Sequence, residues 1–233
     1  MGARRPKMEP VLEGEAVMAI QSIETIAGIA IPDTALVRDA TDIIRSAEDD
    51  VLFHHSRRVF LFGALHGRRL GMAPDPELLY VAAMFHDLGL TPRYGTSTQR
   101  FELDGADAAR DFLIEHGVEP SDADQVWLGI ALHSTPEVPA RLDPETALLA
   151  AGVKTDVVGA GLEALSAGDV DAVTAAHPRP DFKNRILAAF NDGMKHRPET
   201  TFGTMNDDVL AHFDPTFERG NMVDLVLRSN WPE

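Results

Sequence analysis

Apolar positions along this chain recur at steps of three and four residues, which predicts helices rather than strands. Pro32-Asp33-Thr34 is a helix start signal, and Leu36, Ala40, Ile43 and Ile44 after it fall on one face. From Asp50 to a stop at Gly71, Leu52, Val59, Phe62 and Leu70 form a second stripe, which includes His55. Arg57, Arg58, Arg68 and Arg69 are assigned to the solvated side of that helix. Asp75-Pro76 is a cap followed by a proline in the first turn. Leu78 to Leu88 is then apolar on nearly every face before Gly89, the pattern of a helix buried inside a bundle. His86 and Asp87 occupy its last turn.

Leu90 to Leu103 contains Pro92, Gly95, Thr96, Ser97 and Thr98 and reads as a functional loop. Beyond it, Asp104 or Gly105 opens a helix through Ala109, Phe112 and Leu113 to Gly117, and Ser121 caps another that carries Val126, Ile130 and Ala131 toward His133. Asp143-Pro144-Glu145 repeats the cap-plus-proline device ahead of a small-residue helix, Ala147 to Gly161, that holds Asp156. Further helices are expected over residues 181–195, 207–213 and 216–228. His177 beside Pro178 reads as a turn residue, and Trp127 as core. No alternating strand run, internal repeat or Gly/Ser linker is visible. The expected fold is therefore all-α, a single-domain helical bundle over residues 31–233, preceded by a partly ordered N-terminal extension over 1–30.

Composition narrows the partners. The chain has 233 residues and a formal charge of −16, which disfavours nucleic acid and anionic membrane surfaces. It has no cysteine, so strong metal ligands are restricted to His nitrogen and carboxylate oxygen. The basic start, Met1 to Met8, is not followed by an apolar stretch of signal-peptide length, and no run reaches the roughly 18 apolar residues of a membrane span. A cytoplasmic protein with a small-molecule substrate is expected, and a homo-oligomer is compatible with the sequence.

The dipeptide His86-Asp87 is uninformative by itself, because nine histidines and many aspartates make such a pair commonplace. Its placement says more. On a helix apolar all round, two adjacent ionisable groups have no easy route to water, and a metal would satisfy both. His55 alone would be read as a neutral core histidine donating to a carbonyl. Asp156, between Val153, Val157 and Val158, reads equally well as an exposed acid.

Together, a His, a His-Asp pair and a distant Asp on three separate helices resemble the H…HD…D signature of the HD superfamily. The local wording is similar to its cyanamide hydratase-like subgroup: "HHSRRVFLFG" around His55, "ELLYVAAMFHDLGLT" around His86, "FELDGADAARDFL", "IALHS" at His133 and "GVKTDVVG" at Asp156. This covers about residues 50–161, and "KHRPETTFGTMNDD" in the C-terminal helices (162–233) is a fainter echo. The residue before the first ligand, usually Asn in the family, is His54 here; helical phase selects His55, which shares a face with Leu52, Val59 and Phe62.

The resemblance implies a helical bundle of the HD type in which His55, His86, Asp87 and Asp156 hold one divalent metal, Zn²⁺ first, with Fe²⁺ or Mn²⁺ also suited. Asp104 and His133 are the catalytic candidates for moving protons. The implied reaction is addition of metal-activated water to a small nitrile such as cyanamide, giving urea. Three other readings stand beside it: a phosphohydrolase using Arg93 and Arg100, an iron-dependent oxygenase with Asp104 and His133 as ligands of a second ion, and a non-catalytic helical module.

Overall fold

The computed structural model describes residues 23–229. Most of the expected N-terminal extension, together with Trp231, lies outside them. The described chain opens with a feature the periodicity did not announce: strands β1 (Thr25–Ile26) and β2 (Ile29–Ala30), paired antiparallel. Their link, Ala27-Gly28, has positive φ at both residues, 52° and 72°, as a tight two-residue hairpin turn requires. Two residues per strand are too few for an alternation to register.

Helix α1 (Ala35–Ala47) starts on Thr34, whose hydroxyl accepts from the Val37 N–H. Helix α2 (Asp50–Leu70) starts on Asp49 and ends at Gly71 in the left-handed conformation, φ 69°. In α3 (Pro76–Phe85) every side chain from Leu78 to Phe85 is buried, because the helix runs through the centre of the bundle. It packs against α1, α2, α4 (Phe101–Glu115), α5 (Pro120–Leu132) and α6 (Pro144–Val158). Phe101 and Glu102 are buried, so α4 begins a turn earlier than Asp104, and the expected loop tightens into 3-10 turns at Leu88–Leu90 and Pro92–Tyr94.

The C-terminal part holds α7 (Ala167–Ala176), capped by Ser166 and not anticipated, then α8 (Phe182–Met194), α9 (Asn206–Phe213) and α10 (Met222–Leu227). The last is shorter than the expected 216–228. A second apolar cluster, Val51, Leu52, Leu90, Phe101, Phe182, Ile186, Met194 and Leu210, seats α8 and α9 over the start of α2 and the α3–α4 link. No described helix is long and apolar enough to cross a membrane.

Glycines set the closest approach in the bundle. A Cβ on Gly152 of α6 would lie 2.2 Å from the Val59 carbonyl oxygen of α2, and one on Gly63 of α2 would lie 2.7 Å from the Leu148 oxygen of α6. Helices α2 and α6 thus meet backbone to backbone, which brings His55 and Asp156 together. Gly152→Ala should therefore lower stability by about 1–3 kcal/mol or more, as overpacking does. Gly168→Ala, in α7 with nothing near its Cβ position, should be neutral or slightly stabilising. Urea denaturation of both variants measures the contrast.

Candidate metal centre

Helix α3 stops at Phe85. His86 is still helical, while Asp87 (φ −104°, ψ 4°) turns out of the helix into the 3-10 turn that follows. Two glycines permit this crowded exit: a Cβ on Gly89 would fall 2.1 Å from the Phe101 oxygen, and one on Gly105 would fall 2.6 Å from the Phe85 oxygen. Backbone contact with α4 therefore fixes where His86 and Asp87 project.

Three imidazoles converge on Asp87, each tied at Nδ1. His86 Nδ1 donates to the Ala83 carbonyl at 2.8 Å, His133 Nδ1 to the Ile130 carbonyl at 2.7 Å, and His55 Nδ1 to Asp156 Oδ2 at 2.6 Å. With the ring proton held there, each Nε2 faces inward; burial opposes a second proton on His86, but the Asp87 charge outweighs burial and raises its pKa. His55 Nε2 and His86 Nε2 are 3.2 Å apart and lie 3.4 and 3.3 Å from Asp87 Oδ2; His133 Nε2 is 3.8 Å from Asp87 Oδ1. None of the four residues is more than 3% exposed.

This donor set fits a divalent cation. His55, His86 and Asp87 offer ligand atoms all within 4.8 Å of one another. Both Asp87 oxygens are buried with no hydrogen-bond partner, an arrangement that costs several kcal/mol without a counter-charge. Burial opposes ionisation of Asp87, yet His86, His55 and His133 hold its pKa below the usual carboxylate range. Burial lowers the pKa of His55, and burial with the neighbouring His86 takes His133 down to about 4, so both are neutral, ligand-competent imidazoles near pH 7.

Asp156, expected among the ligands, has its carboxylate against His55 Nδ1 and two arginines. Its Oδ2 receives His55 Nδ1 and Arg58 Nη2 (2.9 Å), and its Oδ1 receives Arg58 Nε (2.8 Å) and Arg179 Nη1. It stands behind His55, on the side of the ring opposite Nε2, and orients that ring as a carboxylate supporting a metal-binding histidine does. Burial raises its pKa, but the His55 and Arg58 bonds outweigh burial and bring it to about 2.

Arg58 is fully buried, and Arg57 nearly so, against their assignment to a solvated face. Arg57 donates to Tyr80 Oη (2.6 Å), Glu24 (2.8 Å) and His177 Nε2 (3.3 Å). His177 is buried in this network rather than exposed in a turn, and His54 turns toward it, away from the centre, with Nδ1 atoms 3.2 Å apart. Periodicity marked this helix face polar; the carboxylate and carbonyls that bury it come from α6 and from the segment after α7.

Of the two proton-moving candidates, the structure brings His133 to the centre and not Asp104. Asp104 is held by the buried Arg197, by Ser97 Oγ (2.8 Å) and by Gln99 Nε2 (2.9 Å), which tie the loop and the C-terminal segment to α4. Glu102, two residues earlier and within the stretch "FELDGADAARDFL" but given no role there, is the wholly buried acid that acts electrostatically on His133. It accepts Ser134 Oγ (2.6 Å), Arg100 Nη2 (2.9 Å) and Asn206 Nδ2 (3.0 Å). Glu48 is a second buried acid that sequence reasoning passed over, because Asp49 and Asp50 follow it and the run reads as solvated. Aromatic rings close the centre: Phe182 lies 5.6 Å from the His55 ring and Phe101 5.7 Å from the His133 ring.

Asp87→Asn should abolish metal retention, whereas Asp156→Asn should weaken it by about 10–100-fold, the usual effect of losing a supporting partner; calorimetric titration with Zn²⁺ separates the two. Protonation gives a second test. His133 and His177 have folded pKa values near 4 and 3, well below the unfolded value of about 6.5. The unfolded state then binds more protons, so stability present above about pH 6.5 is lost as pH falls toward those values. The thermal midpoint should drop steadily from pH 7 to pH 4.

The HD domain family model matches residues 52–168, half of the chain and the stretch that holds His55, His86, Asp87, His133 and Asp156. No curated protein matches the chain. With the family match and a buried His/Asp cluster fit for a divalent ion, the chain belongs to the HD domain family, enzymes of the metal-dependent hydrolase type.

Proposed function

We propose that this protein is a single-metal hydratase that adds water to a small uncharged nitrile, cyanamide being the model substrate and urea the product. The observation that carries this reading is the enclosure of the centre: ligand atoms buried within the bundle and walled by Phe101 and Phe182. Such a site suits a compact neutral substrate. The wording of the sequence around each of these residues, similar to cyanamide hydratase-like proteins, supports the same choice.

His55, His86 and Asp87 would hold the ion, and Asp156 would keep His55 in the right tautomer. When bound, a divalent ion of this kind activates water and polarises an attached substrate. His133, neutral and with its Nε2 lone pair turned inward, takes the proton from the attacking water. The water oxygen bonds to the nitrile carbon, one C–N π pair moves to nitrogen, and nitrogen is protonated to give an isourea. Shift of the hydroxyl proton to nitrogen yields urea.

The alternatives find less support. Arg100 is engaged by Glu102, and Arg93 lies over the Tyr94 ring in a cavity also lined by Asp104, Asp107 and Asp111, a poor environment for phosphate. Asp104 is paired with Arg197, which favours a structural role for it over ligation of a second iron.

Elemental analysis of purified protein should find one divalent ion per chain, and cyanamide should yield urea. His133→Ala should keep the ion and lose about 100-fold or more in kcat/KM. Phosphate release from nucleotides without urea formation, or two irons per chain, overturns the reading.

A further inference from the structure

Among the described residues, three buried side-chain oxygens have no hydrogen-bond partner: the two of Asp87 and Oε1 of Glu48. A divalent ion accounts for the first pair. The third calls for its own explanation, since buried polar atoms are otherwise satisfied throughout folded proteins.

Glu48 sits in the corner between two helices. Its N–H donates to the Ile44 carbonyl at 2.9 Å and ends α1, and the next residue, Asp49, caps α2. Of the three consecutive acids, Asp49 and Asp50 are exposed and only Glu48 turns inward, 7% exposed. Its Oε2 has one long contact, 3.4 Å from the hydroxyl of Ser56, the residue after His55 on α2. Among the described residues no cation forms an ion pair with the carboxyl. The charges that act on it are Asp87, the stronger influence, and Asp49. Burial first, then Asp87, raise its pKa well above the ordinary value, which favours the protonated form.

We propose that Glu48 is the acid of the same centre: its carboxyl, through the unpartnered oxygen, gives the proton that the nitrile nitrogen takes up as water adds. His133 and Glu48 then form a complementary pair, one imidazole kept neutral and one carboxyl kept protonated by different surroundings. The proton that His133 takes from water restores the Glu48 acid at the end of the cycle, so the two groups return to their starting states. This assignment rests on the hydratase reading and adds the proton donor to it.

The test uses the Zn²⁺-loaded full chain, wild type and Glu48→Gln, with metal content measured in both. Glutamine keeps the shape and has no acidic proton. The variant should retain its zinc, lose about 100-fold or more in kcat on cyanamide at little change in KM, and lose the alkaline limb of the pH profile. Infrared spectroscopy reads the acid without turnover: wild type should show a protonated-carboxyl band at neutral pH that is absent in Glu48→Gln and that moves on addition of Zn²⁺ to the metal-free protein. If cyanamide is not hydrated by wild type, the hydratase reading fails, and a zinc-sensitive band still places Glu48 at the centre. A band that is missing, or that ignores zinc, overturns the proposal, as does an unchanged pH profile or loss of zinc from a folded Glu48→Gln. Should that variant not fold, Ser56→Ala should displace the band while leaving zinc bound; an undisplaced band overturns the proposal.

Discussion

The carboxylate of Asp87 is buried, meets no partner at hydrogen-bond geometry and is kept ionised by the imidazoles beside it, and the rest of the centre is arranged around that charge. Isolated, it would cost several kcal/mol and would favour protonation. It is instead ringed by imidazoles whose Nδ1–H groups are each committed to a carbonyl or carboxylate behind them. The consequence is a pocket of inward lone pairs and one negative charge, which repel one another unless a cation lies among them. Cooperation of this kind is unavailable to a helix taken singly, because the four side chains come from the start of α2, the end of α3 and the end of α5.

Behind the ring lies a supporting layer that is buried except at the half-buried Arg179. Asp156 holds His55, Arg58 and Arg179 hold Asp156, and both guanidiniums lie over the Phe182 ring at 4.8 and 4.2 Å. The same aromatic residue closes the centre beside His55. The orientation of one ligand is thereby tied to the docking of α8, so a change in the C-terminal helices has a route to the metal through packed side chains. On the opposite side Arg197 ties Asp104 and the Gly89 carbonyl, which fixes the loop after Asp87.

The two buried acids given no role by sequence reasoning differ in kind. Glu102 is saturated by Arg100, Ser134 and Asn206, which lower its pKa against burial, whereas Glu48 has one weak contact and its pKa is raised by burial and by Asp87. One acid steadies a positive charge when it develops on His133, and the other has a proton to give. Their opposite states follow from their partners alone, since residue type and burial are the same.

Periodicity, caps and stop signals were enough to place the start of α1, both ends of α2, the buried character of α3, the Asp143 cap of α6 and the core of α8, because those signals are local and act within a few residues. They also put His55 on an inward face and His86-Asp87 at the end of an apolar helix. What the sequence determined by itself was therefore the helical bundle and the elements that carry the ligands. Tertiary structure decided which polar groups meet. It set Asp156 against His55, Arg58 and Arg179, drew Arg57, Arg58 and His177 inside, tied Asp104 to Arg197, and left Glu48 buried with an unpartnered oxygen at the corner of α1 and α2. The physical reason is that a buried charge is defined by its partner, and each of these partners lies on another helix or beyond a turn, where no pattern along the chain can register it.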